Sequence, residues 1–182
     1  LAVVPDYAEA HNSLANTLKQ QGQVQAAIAS YLNALAIRPD YVEAQYNLGN
    51  AFAEQGRLDE AVARYHKVLS LHPEHAEAHT NLGNTLKHRG DLEAAAASYR
   101  KAISIRPDYA EAHNNLGNAL REQGLLEEAV ESYRKALTIN PEYSEAHNNL
   151  GNMLKELGDL DEAVSCYLKA LNLNPDYAEA HN

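Results

Sequence analysis

All six prolines of this 182-residue chain stand 34 residues apart, at Pro5, Pro39, Pro73, Pro107, Pro141 and Pro175. The nine glycines fall on two series of the same period: Gly22, Gly56, Gly90, Gly124, Gly158 and Gly49, Gly83, Gly117, Gly151. None is left over to build an irregular loop, a phosphate-binding turn or a linker. A strict 34-residue period restricts the chain to a stack of one small unit, each copy resting on its neighbours. Five units fit, at 8–41, 42–75, 76–109, 110–143 and 144–177. Residues 1–7 then read as the tail of a preceding unit and 178–182 as the start of a further one, so 1–182 is expected to form one array. Neither end carries a polar capping helix, and exposed apolar end faces predict end-to-end self-association.

The unit at 110–143 shows what is being stacked. Numbering its positions 1 to 34, Ala112, Leu116, Ala119 and Leu120 recur at helical spacing and predict a first helix. Asp108 is expected as its N-cap, with Glu111 three residues on completing a capping box. Gly124 is the expected left-handed stop. Glu127 and Glu128 then suit the positive end of a second helix, whose apolar stripe is Ala129, Val130, Tyr133, Ala136 and Leu137. Asn140 and the following proline end it. The small residues Gly117, Ala129 and Ala136 allow close approach of the two helices, and Leu116, Leu120 and Tyr133 fill the space around them. The predicted fold class is all-α, a stack of antiparallel helix pairs.

Charge and composition exclude several functions. A net charge of -10 disfavours nucleic acid and anionic membrane surfaces. No apolar run reaches the roughly 18 residues needed to span a bilayer. One cysteine, Cys166, rules out an intrachain disulfide framework and fits a reducing, cytoplasmic setting. It has no counterpart in the other units and neighbours Tyr167, which favours a packing role over that of a nucleophile. His11, His79, His113, His147 and His181 lie one repeat apart, and stacked helices set equivalent positions roughly 10 Å from each other. Zinc needs nitrogen ligands near about 2 Å, so no metal and no cofactor is expected.

Residues at positions 7, 8, 11, 20, 24, 27 and 32 carry a family resemblance. In the fourth unit they are Leu116, Gly117, Leu120, Ala129, Tyr133, Ala136 and Pro141. The pattern resembles the tetratricopeptide repeat (TPR) and covers essentially the whole chain. Ala15 at position 8, Val68 at position 27, and histidine or Gln45 at position 4 depart from it. The resemblance implies an α-solenoid wound as a right-handed superhelix, with the first helices lining a concave face. The recurrent Asn-Leu-Gly-Asn segment looks most like the TPR domain of protein O-linked N-acetylglucosamine transferases. That likeness implies an asparagine-lined groove for extended polypeptide, with Asn47, Asn81, Asn115 and Asn149 as ladder positions and Asn50, Asn84, Asn118 and Asn152 beside them. Nothing in the chain resembles the catalytic domain of those enzymes. TPR domains that clamp a C-terminal carboxylate carry Lys or Arg at positions 5 and 9, where this chain has Asn12, Tyr46, Thr80, Asn114 and Asn148, and only asparagine.

With positions 4, 7, 8 and 11 facing inward, a helical wheel sends positions 2, 5, 6, 9, 12 and 13 outward. Position 9 is asparagine in every unit, at Asn16, Asn50, Asn84, Asn118 and Asn152. Position 6 is Ser13, then Asn47, Asn81, Asn115 and Asn149. Asparagine is a poor helix residue, and nine together forgo on the order of 5–6 kcal/mol against alanine. Two roles would compensate. Carboxamides could pair with the N–H and C=O of a bound extended chain, or tie neighbouring units together. Asn12, Asn114 and Asn148 at position 5 join the candidate peptide-binding set, and Tyr46 adds an aromatic contact. Glu9, Glu43, Glu77, Glu111 and Glu145 read as capping-box partners rather than a site for a basic ligand. Lys19, Lys87, Arg121 and Lys155 sit where a helix C-terminus favours cations, more simply than as grips for acidic side chains. The sequence thus predicts a non-catalytic module that binds protein or extended peptide. The alternatives are the substrate-selecting arm of a larger O-linked glycosyltransferase and a self-assembling scaffold.

Overall fold

The computed structural model describes residues 7–174. The chain divides into two compact units, one ending at Arg89 and the other beginning at Gly90. The first contains α1 (Tyr7–Gln20), α2 (Val24–Ile37), α3 (Val42–Glu54), α4 (Leu58–Leu71) and α5 (Ala76–Arg89). The second contains α6 (Leu92–Ile105), α7 (Ala110–Glu122), α8 (Leu126–Ile139), α9 (Ser144–Leu157) and α10 (Leu160–Leu173). There is no strand among the described residues. Within each unit every helix packs on the next in sequence, and α1 also meets α3, α3 meets α5, and α7 meets α9. Pro5, Pro175 and His181 lie outside the described residues.

Two turns alternate. Within a pair, Gly124 stands at φ +79° between α7 and α8, a conformation that a Cβ would strain. Its N–H donates to the Arg121 carbonyl and the Leu125 N–H to that of Leu120, the paired bonds of a Schellman stop. The same bonds recur at Gly22, Gly56 and Gly158. Between pairs the chain makes a β-turn with proline second. The Tyr109 N–H donates to the Arg106 carbonyl across Pro107 and Asp108. The expected capping box therefore does not form. Asp108 lies inside the turn, and Tyr109 stands at the N-cap of α7 with no side-chain cap bond. Proline fixes the turn, and the next helix starts one residue later than an aspartate cap requires.

The core is built from alanines and tyrosines. Tyr31, Tyr65, Tyr99 and Tyr133 are all buried, as are Ala44, Ala78, Ala112 and Ala146 near the start of successive first helices. At Gly117, α7 packs against the Tyr133 ring of α8. A Cβ there would lie 2.6 Å from Cε1 of Tyr133. Cys166 is buried in α10, and burial first, then Glu162, pushes its thiol up from its ordinary range. No described helix is long and apolar enough to cross a membrane.

Candidate functional site

The asparagine rows lie on α1, α3 and α5 in the first unit and on α7 and α9 in the second. The position-9 amides of Asn16, Asn50, Asn118 and Asn152 are each met by a tyrosine of the same helix pair. The hydroxyls of Tyr31, Tyr65, Tyr133 and Tyr167 donate to Oδ1 of Asn16, Asn50, Asn118 and Asn152 at 2.6, 2.7, 2.8 and 2.9 Å. The same oxygens take a second donor in the first unit. Asn47 Nδ2 reaches Asn16 Oδ1 at 3.2 Å, and Asn81 Nδ2 reaches Asn50 Oδ1 at 2.9 Å. A position-6 amide thus bonds the position-9 amide of the preceding repeat, and part of the asparagine content ties repeats together.

These bonds leave a regular remainder. The Nδ2 groups of Asn16 and Asn50 and the Oδ1 groups of Asn47 and Asn81 bond to no described residue. All four side chains are half-buried, so the unused donors and acceptors stay within reach of solvent. They border two shallow depressions. One of about 620 Å³ is lined by Asn16, Lys19, Tyr31, Glu43, Tyr46 and Asn47. Asn50, Glu54, Tyr65, Asn81, Asn84 and His88 are among the residues around the other, of about 380 Å³. Lys19 Nζ is held 2.6 Å from a Glu54 carboxylate oxygen.

Position 5 is a correction. Asn12, Asn114 and Asn148 are 2%, 0% and 1% exposed, and Thr80 is buried with them. They do not face outward. A first helix is flanked by the next first helix as well as by its paired second helix, and position 5 lies between the two first helices. Asn12 Nδ2 donates to Glu43 at 2.9 Å and Asn114 Nδ2 to Glu145 at 3.0 Å, each across to the following repeat. Glu43 and Glu145 are thus acceptors between repeats, a role that their reading as capping partners missed. Tyr46 at position 5 is half-buried; its ring stacks on His75 with centroids 5.1 Å apart, and its hydroxyl accepts from Asn81 Nδ2 at 2.9 Å.

The second unit is arranged differently. Asn149 is nearly buried and donates Nδ2 to Asn114 Oδ1 at 3.1 Å. Asn115, Asn118 and Asn152 are half-buried. Position 4 has a local role in both units. His79, His113 and His147 place Nε2 at 2.9, 3.0 and 2.9 Å from the carbonyls of Pro73, Pro107 and Pro141. Gln45 Nε2 makes the same bond to Pro39 at 2.9 Å. A carbonyl only accepts, so each of these nitrogens donates.

Profiles of the TPR repeat match residues 15–56, 49–88, 83–124 and 117–155, and a tetratricopeptide repeat profile matches 144–177. The chain belongs to the tetratricopeptide repeat family. Its fold is that of the TPR solenoids to which it is similar. It shares 28% identity with a crystal structure of MamA, at a TM-score of 0.82 over 91% of this chain and 96% of that one. A MamA structure from Desulfovibrio magneticus RS-1 matches at 24% identity and a TM-score of 0.86, covering 97% of this chain and 99% of that one. The structure of YrrB, described as a TPR protein with an unusual peptide-binding site, matches at 23% and 0.77 over 98% of this chain and 92% of that one. No curated protein matches the chain. As a TPR module it falls in a class of protein-interaction folds.

Proposed function

We propose that the chain binds extended polypeptide along the open side of its first helices, in the first unit at Asn16, Asn47, Asn50, Asn81 and Asn84 with Tyr46 alongside. One observation carries this reading. In the first unit, hydrogen bonds occupy one end of the Asn16, Asn47, Asn50 and Asn81 amides and leave donors on Asn16 and Asn50 and acceptors on Asn47 and Asn81. A peptide backbone presents the complementary pair, a C=O and an N–H, at every residue other than proline. Amides that only tied repeats together would gain nothing by standing at the edge of a depression. Peptide binding is also what the description of YrrB names for that protein.

The test is affinity for a panel of extended peptides, measured for wild type and for Asn50→Ala/Asn81→Ala with helicity monitored. A loss of about tenfold or more with the fold intact supports the groove, since two hydrogen bonds of about 1 kcal/mol each are removed. Unchanged affinity overturns it. The Asn-Leu-Gly-Asn likeness makes the substrate-selecting arm of a larger transferase one form of this reading, which a full-length reading frame would settle. Assembly through exposed apolar faces is a second reading, favoured by Leu160, Val164 and Leu168 on α10. Val164 is 56% exposed, whereas Val62 and Val130 at the same position are buried. Light scattering over a range of concentrations tests it.

A further inference from the structure

We infer that the position-24 tyrosine hydroxyls, Tyr31 and Tyr65 in the first unit, are positioning residues that set the hydrogen-bonding polarity of the peptide groove; this rests on the peptide-binding reading above. The chain has eleven tyrosines and a single phenylalanine, and position 24 is tyrosine in all five repeats. Packing alone does not ask for the hydroxyl. The Tyr65 ring fills the slot over Gly49, where a Cβ would lie 2.8 Å from Cε1, and phenylalanine would fill it equally. A buried hydroxyl costs free energy unless it is bonded. Here the hydroxyls of Tyr31, Tyr65, Tyr133 and Tyr167 are bonded to the oxygen of the position-9 amide.

That bond decides which end of the amide faces the groove. A carboxamide rotated by half a turn exchanges its oxygen for its nitrogen with little change of shape. With the hydroxyl donating to Oδ1 from behind, Nδ2 is turned to the open side. The second donor reinforces the choice. Turning Asn50 over would set its Nδ2 against Asn81 Nδ2, donor against donor, because Asn81 Nδ2 is already directed at Asn50 and at the Tyr46 hydroxyl. Thr85 also lies beside the Tyr65 hydroxyl, but Thr85 Oγ1 directs its own proton to the Asn81 carbonyl, at 2.8 Å. The groove of the first unit is therefore polarised across its width. The position-9 row donates and the position-6 row accepts, so a bound backbone turns its carbonyls to the first and its N–H groups to the second. Without the hydroxyl the amide can present either end, and the donor row loses its definition.

The experiment uses the intact chain and a neutral alternating Ser-Ala peptide as probe, with binding followed on the side-chain amide signals of Asn16 and Asn50 by NMR. Tyr31→Phe/Tyr65→Phe is expected to weaken binding by about tenfold and to shift those signals in the free protein, as one lost hydrogen bond at each of two sites implies. Asn50→Asp keeps the acceptor that Tyr65 and Asn81 use but has no proton to offer the groove, and is expected to lose affinity similarly. Val68→Ala, a buried core change in α4 that removes no polar group, lowers stability and is expected to leave affinity unchanged, which separates positioning from loss of fold. Wild-type affinity in the Tyr→Phe pair, while Asn16→Ala/Asn50→Ala binds weakly, overturns the inference and leaves the groove standing. Wild-type affinity in Asn50→Asp also overturns it, whether or not the Tyr→Phe pair folds. A wild-type chain that does not bind the peptide overturns inference and groove together.

Discussion

Single atoms decide much of this fold. Gly117 lies against the edge of the Tyr133 ring, and a methyl group there has 2.6 Å where van der Waals contact needs more than 3 Å. Gly117→Ala is expected to destabilise by about 1–3 kcal/mol, read as a lower urea midpoint, because α7 and α8 must separate or the ring must turn. An unchanged midpoint would show that the ring yields freely. Ala15 holds the same position in the first repeat, so a pair can accommodate the methyl when its helices are set for it. The glycine lattice was readable in the sequence, and so was the close approach of the two helices that its small residues allow, but not the contact of Gly117 with Tyr133. The hydrogen bond from tyrosine to asparagine was not readable either. Asparagine at position 9 and tyrosine at position 24 are 15 residues apart and share no helix, so wheel geometry has no purchase on their meeting.

The helices α3, α5, α7 and α9 are anchored at their starts by something other than a cap. The position-4 side chain reaches back to the proline carbonyl six residues earlier and ties the first turn of the helix to the preceding β-turn. His113→Ala is expected to cost about 1 kcal/mol, whereas His113→Gln should stay within about 0.5 kcal/mol of wild type, since Gln45 makes this bond natively. Chemical denaturation of the two variants checks the pair, and equal losses would discount the bond. The sequence marked position 4 as a departure from the family pattern, without giving it a partner. It also placed the Pro-Asp dipeptide at the cap, although Pro followed by Asp is equally the middle of a turn. Position 5 was assigned outward because the inward face was defined by positions 4, 7, 8 and 11 alone. A helix with neighbours on two sides has two inward faces, and Asn12 and Asn114 belong to the second, where polar side chains find carboxylates across the repeat boundary. Thr80 among the position-5 residues, small and β-branched, was the one sequence hint of that burial.

Over the whole chain the buried tyrosines act in concert. Burial pushes the Tyr31 and Tyr143 hydroxyls up to about 12, and Tyr65, Tyr99 and Tyr133 further still. The unfolded chain releases these protons near about pH 10, so between there and the folded values the native state holds more protons and stability falls as pH rises. Each such tyrosine lowers stability by at most about 1.4 kcal/mol per pH unit in that window. The melting temperature is expected to be flat with respect to tyrosine below about pH 10 and to drop steeply above it. A melting temperature that holds through that range would mean that the hydroxyls ionise in place. Cys166 gives the molecule a stopwatch. Its thiol is the sole one in the chain and is buried on α10, so a coloured thiol reagent is expected to reach it faster when that helix lifts. Labelling kinetics in native buffer would then report on the openings of one chosen helix among the ten described, without any probe having to be engineered in.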